Sequence, residues 1–155
     1  MTSEYRLRQG TPADAPLVVE QRRAMFVDMG EPDDAKMAEM SRRFLPWVEE
    51  RLANGTYRAW LIEHDGQSVA GAGLWLKEGQ PGLRSEVAFV PYVLNVYCHP
   101  DHRGRGLARQ LMEAIIGACR DEGMSVVELH ASEFGRHLYE TMGFKATNEM
   151  RLKLE

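Results

Sequence analysis

The chain has 155 residues, of which 44% are hydrophobic and 27% charged, and its formal net charge at pH 7 is −4. This is the composition of an ordinary globular protein, and the length is enough to bury one hydrophobic core, so we expect a single domain over residues 1–155. The acidic balance argues against nucleic acid or a membrane surface as the main partner, since both require a basic face.

The cysteine count and the N-terminus both favour a cytoplasmic protein. Cys98 and Cys119 are too few for a disulfide framework, so we expect reduced thiols. Residues 1–10 are polar where a secretory signal has an apolar run, and no stretch approaches the ~18 apolar residues of a membrane span. Whether the chain forms a homodimer stays open.

The first half of the chain predicts a strand, two helices and a hairpin. In chain order these are a strand over 5–8, helices over 12–29 and 36–52, and the hairpin strands over 57–63 and 69–76. Thr11 and Pro12 begin the first helix as a cap and a first-turn proline, and Pro46 is expected to kink the second. The pair Asp65-Gly66 is a strong signal for a tight hairpin turn.

The second half continues the alternation of strands and helices. In chain order we predict a strand over 87–98, an amphipathic helix from 106 that ends at Gly123, a buried strand over 125–130, a short helix over 135–142 and a last strand over 150–154. Pro91 interrupts the first of these strands, which suggests a bulge or a late start there. The whole pattern predicts an α/β protein.

One strand, loop and helix stand out as an anion-binding segment. Gly104 and Gly106 lie where a helix begins, and a helix N-terminus exposes unpaired backbone N–H groups that glycines leave open to a pyrophosphate. Arg103, Arg105 and Arg109 add positive charge around it. The alternative is a glycine-containing turn with solvated arginines. Two nucleotide motifs fit worse, because the P-loop lysine and the third Rossmann glycine are both absent.

Two motifs in this half resemble a known family. Arg103-x-x-Gly106-x-Ala108, after a strand that ends at Cys98, resembles the acetyl-CoA-binding motif of the GNAT acetyltransferases, and Leu138-Tyr-Glu-Thr-Met-Gly-Phe144 resembles a second GNAT segment. The resemblance implies one domain with a central mixed, mostly antiparallel sheet, helices on both faces and two splayed parallel strands at the cofactor site. It also implies an N-acetyltransferase that uses acetyl-CoA as cosubstrate.

The resemblance also implies a set of cofactor-binding residues. Main-chain groups of the strand would bind the pantetheine arm, backbone amides of the loop would bind the pyrophosphate, and Ser132 stands where many relatives have a cofactor-contacting asparagine. The complete set is Val96, Tyr97, Cys98, Arg103, Gly104, Arg105, Gly106, Leu107, Ala108, Arg109 and Ser132.

Acetyl transfer requires an oxyanion donor, an acid for the departing thiolate and a base for the amine. The resemblance implies that a backbone N–H near Val96 is the oxyanion donor and that Tyr139 is the acid. A tyrosine on a short helix is also a common core residue. For the base we favour His130, whose imidazole titrates in the useful range, with Glu86 and Glu128 as alternatives. A structural role for His130 also stays open.

The non-catalytic roles of nearby side chains follow from their chemistry. Asn95 cannot act as a base but can orient water or the acceptor. Cys98 lacks a histidine or aspartate partner at a suitable spacing, so we expect strand packing rather than a covalent acyl-enzyme. His99-x-x-His102 resembles a metal pair only superficially, and we predict no metal.

The acceptor site would be built from the first two helices and nearby loops. The residues concerned are Met25, Phe26, Met29, Phe44, Trp47 and residues 79–84. Such a stripe can equally be core, but it allows a partly apolar slot for a small-molecule or peptide amine. Two rival functions stay open: a catalytically silent acyl-CoA-binding sensor, and an RNA-contacting loop that the net acidity disfavours.

Overall fold

The fold, seen in a computed structural model that describes residues 4–81, 83 and 89–155, is one five-stranded sheet covered by helices. Its elements in chain order are β1 (Arg6–Gln9), α1 (Ala15–Asp28), α2 (Asp34–Asn54), β2 (Tyr57–His64), β3 (Gln67–Glu78), β4 (Phe89–Cys98), α3 (Leu107–Asp121), β5 (Glu128–Leu129) and α4 (Glu133–Thr141). The strands lie in the sheet in sequence order. Neighbours run antiparallel except β4 and β5, which are parallel, so the predicted mixed sheet is confirmed.

The sheet separates two hydrophobic cores. On one face α1 and α2 pack over a cluster that includes the buried Val18, Val48 and Tyr57. On the other face α3 packs through Leu111 and Ile115, among other residues, over a larger cluster that also receives α4. Side chains of a strand point alternately to the two faces of the sheet, so the central strands contribute residues to both clusters. The prediction of helices on both faces is confirmed.

Local capping explains where the helices begin and end. A 3-10 turn at Pro12–Asp14 precedes α1, and Thr11 donates its backbone N–H to the Asp14 carboxylate at 2.7 Å. Asp33 caps α2 by accepting from the backbone N–H of Lys36. Helix α2 continues through Pro46. No helix among the described residues is both long and apolar enough to span a bilayer.

The bulge in β4 lies near its end and not at Pro91. Pro91 pairs with Leu76 in regular register, whereas between the pairs Gly71–Tyr97 and Gly73–Leu94 two residues of β4 oppose the single Ala72 of β3. Among the described residues, β5 pairs with Tyr92 and Val93 of β4 but not with Pro91, so the missing N–H donor of Pro91 costs no strand pairing on that side. The expectation of an interruption near Pro91 was therefore wrong within the described part of β4.

The last third of the chain contains less sheet than its pattern predicts. The predicted buried strand over 125–130 is reduced to Glu128–Leu129, and Val126 is half exposed. The predicted last strand does not form: Met150, Leu152 and Leu154 are exposed and have no strand partner among the described residues. Alternation gives a segment one apolar side, but a strand also needs a sheet edge to pair with.

Candidate active site

The strands β4 and β5 part at the point where the site residues begin. They pair in parallel at Tyr92–Glu128 and Val93–Leu129 and no further, although the chain of each continues. At this position the bulge turns β4, and Asn95 has a positive φ of 56°. The splayed parallel pair is thus present, and its paired part ends before Val96.

The loop between β4 and α3 presents its backbone to solvent. Gly104 and Gly106 have φ values of 76° and 77°, which side chains with a Cβ rarely adopt. Gly106 is the N-cap of α3 and supplies no side-chain hydrogen bond, so the first amides of α3 have no side-chain cap. A Cβ built on either glycine would have no atom within 4 Å. The loop therefore fits a phosphate group, which such amides bind well.

The three arginines at this site, Arg103 and Arg105 of the loop and Arg109 of α3, have contacts within the protein. Arg103 forms an ion pair with Asp28 of α1 and donates to the carbonyl of Cys98 at 3.0 Å. The Arg109 guanidinium donates to the Thr141 hydroxyl at 2.7 Å and so joins α3 to α4. Arg105 lies 6.0 Å from the Tyr5 ring. All three still add positive charge beside the loop.

The remaining predicted cofactor residues differ in exposure. Leu107 is 4% exposed and belongs to the core, so only its backbone can meet a ligand. Val96 and Cys98 are partly buried and pack against the same core. Burial raises the pKa of the Cys98 thiol, which keeps it protonated, in line with strand packing. Ser132 is the N-cap of α4, where its Oγ accepts from the backbone N–H of Gly135 at 3.1 Å.

Tyr139 lies on α4 with its ring in the core. It is 8% exposed, and its ring centroid is 5.8 Å from that of Phe144 in an edge-to-face arrangement. Burial raises the pKa of its phenol, so the hydroxyl keeps its proton at neutral pH. The ring crosses the backbone of Gly135, where a Cβ would come within 2.6 Å of the ring carbon Cε2. The phenol thus has a proton to donate, although its raised pKa also makes it a weaker acid.

The three candidates for the base differ in how they are situated. His130 follows β5 directly and is exposed, and Glu128 is an exposed residue of β5 itself. Glu86 lies outside the described residues, as do Gly82 and Arg84 of the predicted acceptor segment. The assignment of the base stays a prediction.

On the opposite face of the bulge lies a polar network that sequence reasoning largely missed. The Arg22 guanidinium of α1 donates through Nη1 to Asn95 Oδ1 at 2.5 Å, and Asn95 Nδ2 donates to the Tyr57 hydroxyl at 2.9 Å. Burial raises the pKa of Tyr57 to about 12, so this tyrosine stays neutral. Gly73 makes room for it, since a Cβ there would lie 2.1 Å from the Tyr57 hydroxyl.

Several residues predicted for the acceptor site surround this network. The rings of Phe26 and Phe44 lie 5.1 and 4.8 Å from the Arg22 guanidinium carbon. Trp47 contacts the Tyr57 ring edge-on at 6.1 Å. Met25 is partly buried on α1, whereas Met29 follows the helix and is 53% exposed. One feature of the sequence points to Arg22: it stands four residues before Phe26, so the charge and the aromatic ring lie on the same face of α1.

The histidines beside the loop form an aromatic cluster. The rings of His99 and His102 lie 5.8 Å apart, and His102 Nδ1 lies 2.9 Å from the Tyr5 hydroxyl. Within the described ranges, no group of three histidine, cysteine or acidic side chains is arranged to hold a metal ion.

Known proteins match the chain in sequence and in fold. The model of the acetyltransferase (GNAT) domain matches residues 55–146, more than half of the chain. The L-amino acid N-acyltransferase MnaT of Escherichia coli is 30% identical over 109 residues. The aligned part covers 68% of this chain and 60% of MnaT, so the chain spans less than two thirds of the length of that relative.

Solved structures agree over nearly the full length. A GCN5-related N-acetyltransferase from Ralstonia eutropha superposes with a TM-score of 0.89 at 34% identity, over 97% of this chain and 99% of the other. A predicted acetyltransferase from Clostridium acetobutylicum, solved with acetyl-CoA, superposes with a TM-score of 0.88 over 98% of this chain and 96% of the other. At 24% identity, that second likeness concerns the fold alone.

Proposed function

The chain belongs to the GNAT acetyltransferase family, and on this premise we propose that it transfers an acetyl group directly from acetyl-CoA to a primary amine. The observation that carries the proposal is the splay of β4 from β5 directly before the glycine loop that begins α3. A linear ligand with phosphates at one end and a reactive group at the other fits that order of features. The relative from Clostridium acetobutylicum was solved with acetyl-CoA, which supports this choice of cosubstrate.

The main chain would hold the cosubstrate in two sections. The amides from Gly104 to Arg109 would bind the pyrophosphate at the N-terminus of α3. Val96, Tyr97 and Cys98 would hydrogen-bond the pantetheine arm as an added strand, since β5 no longer pairs with β4 there. The hydroxyl of Ser132, which already accepts from Gly135, keeps its proton free to donate to the same ligand.

When bound, acetyl-CoA supplies an activated thioester carbonyl. The chain's own groups would then do three things. A backbone N–H at the bulge near Val96 would donate to the carbonyl oxygen as negative charge develops on it. Tyr139, kept protonated by burial, would give its proton to the departing sulfur. His130, or one of the glutamates Glu86 and Glu128, would take the amine proton, directly or through water.

The acceptor would be a small amine. The Escherichia coli relative is named as an L-amino acid N-acyltransferase, so amino acids are the first acceptors to test, with peptide amines second. The aromatic rings of Phe26, Phe44 and Trp47 support a partly apolar slot. A cytoplasmic location is part of the proposal, supported by the free thiols of Cys98 and Cys119.

The test combines binding with turnover. Acetyl-CoA binding is measured by calorimetry, and the release of free thiol is then followed with a panel of amines. Tyr139→Phe removes only the hydroxyl, and we expect kcat to fall by about 100-fold or more while acetyl-CoA binds as before. The matched control is Tyr92→Phe, which changes a partly buried tyrosine of β4 outside the proposed machinery and should keep full activity.

Each result has a definite meaning. Amine-dependent thiol release that requires Tyr139 supports direct transfer. Binding without turnover over a broad panel supports the silent sensor instead. A protein that does not bind acetyl-CoA at all contradicts the proposal.

A further inference from the structure

Arg22 carries a charge that the described protein does not balance. Desolvation lowers the pKa of its guanidinium from the ordinary value, but an arginine keeps its charge in proteins. No carboxylate among the described residues forms an ion pair with it, and its contacts there are the Asn95 amide oxygen and the rings of Phe26 and Phe44. Its Nε is buried and has no hydrogen-bond partner there. A partly buried charge of this kind is costly unless an anion balances it.

Neighbouring arginines show the usual arrangement. Arg23, the next residue of α1, lies 3.9 Å from the carboxylate of Glu20, and Arg103 is paired with Asp28 at the end of the same helix. Arg8 contacts both Asp14 and Glu63. Arg22 instead contacts two aromatic rings and the amide oxygen of Asn95. Among the described residues, Arg22 is thus held in place by uncharged groups.

The position of Arg22 relates it to the proposed reaction. Its partner Asn95 is the first of the two bulged residues of β4, and the second is Val96, whose backbone region we assign to the thioester. The bulge directs Asn95 to the α1 side, while Val96 packs toward the α3 side. Arg22 therefore contacts β4 at the residue next to the one whose backbone we assign to the thioester.

We propose that Arg22 binds a carboxylate of the acceptor, so that the substrates are small amines with a carboxylate close to the amino group, as in α-amino acids. This inference rests on the proposed function and specifies its acceptor. A carboxylate is favoured over a phosphate because a single guanidinium fork matches a planar monoanion, whereas a phosphate dianion would be left half neutralised among aromatic rings.

The test compares acceptors that differ only in the carboxylate. The twenty common L-amino acids are assayed for acetylation, and each one that reacts is compared with its carboxamide at equal concentration of unprotonated amine. We expect the wild-type protein to prefer the carboxylate form by about 10- to 100-fold in kcat/KM, the usual effect of charge-assisted hydrogen bonds. Arg22→Gln should remove this preference mainly through KM, and Arg22→Lys should restore part of it.

The matched control is Arg23→Gln, which removes the neighbouring positive charge from the same helix. It should keep the wild-type preference, because its partner is Glu20 on the helix surface. Acetyl-CoA binding and thermal unfolding of the Arg22 variants are measured alongside to show that the fold and the cosubstrate site are intact.

Failure of this inference can be told apart from failure of the proposed function. If the carboxamides or simple alkyl amines react as well as the amino acids, the carboxylate site is wrong and the transferase stands. If nothing is acetylated, the proposed transferase activity is wrong. The carboxylate site is then tested separately, by calorimetry of CoA-saturated protein with L-leucine and L-leucinamide. Binding of leucine only, lost in Arg22→Gln, supports it, and equal or absent binding of both overturns it.

Discussion

Gly135 determines where the ring of the proposed proton donor can lie. An alanine Cβ at this position would stand 2.6 Å from Tyr139 Cε2, 3.0 Å from Cζ and 3.1 Å from the hydroxyl oxygen. An ordinary contact begins near 3.4 Å, so the ring must retreat by about 0.8 Å. Displacements of this size can reduce turnover by about 100-fold. We therefore expect Gly135→Ala to lower kcat by about that factor without weakening acetyl-CoA binding.

The stability of the same variant reflects two opposing terms. Alanine favours the helix over glycine by about 1 kcal/mol, whereas overpacking costs about 1–3 kcal/mol. The free energy of unfolding should thus fall by about 0–2 kcal/mol. Gly117→Ala is the control, because its Cβ in α3 meets no atom within 4 Å, and it should gain up to about 1 kcal/mol with kcat unchanged.

The assay is amine-dependent thiol release together with urea unfolding, both with Tyr139→Phe for comparison. The reasoning would be refuted if Gly135→Ala kept the wild-type kcat while Tyr139→Phe lost it. An increase in stability equal to that of Gly117→Ala would refute the contact itself.

Two further predictions concern the cofactor loop and the pH dependence of folding. Gly106→Ala should lose about 1–2 kcal/mol of unfolding free energy because of its positive φ, and calorimetry should show at least about tenfold weaker acetyl-CoA binding. Gly55→Ala, strained in the same way at the end of α2, should lose similar stability with unchanged affinity, and equal affinity for both variants would contradict the role of the loop. Arg8 holds the pKa of Asp14 at about 2 through a direct hydrogen bond, below the value of about 4 in the unfolded chain. The stabilisation is therefore present above pH 4 and lost as the pH falls toward 2, and urea unfolding of Asp14→Asn should show a flatter slope over that interval.

Sequence patterns were reliable where a local rule decides the structure. The hairpin at Asp65-Gly66 and the amphipathic α3 formed as predicted, because turn chemistry and a 3.6-residue period each act over a few neighbouring residues. The glycine loop is also local, and Gly104 and Gly106 have the positive φ angles that glycine adopts readily, whereas its role in anion binding stays a prediction.

The failures all depended on partners distant in sequence. The residues from Met150 to Leu154 alternate like a strand but lie exposed. An alternating pattern does not show whether a sheet edge is available for pairing. Pro91 was a plausible site for the bulge, yet the register between β3 and β4 put it at Asn95. Arg22 was overlooked because its significance depends on Asn95 and Phe44, which lie on other elements.

The separation of the two hydrophobic cores by the sheet affects how substitutions in them can be combined. The family model begins at residue 55, after α1 and α2, so the helices proposed to contact the acceptor lie outside the segment that this model matches. Their core shares no buried residue with the core beneath α3. Substitutions confined to one core should therefore combine additively with those confined to the other, whereas substitutions at the links between the two sides, such as Asn95 and the Arg103–Asp28 ion pair, should not.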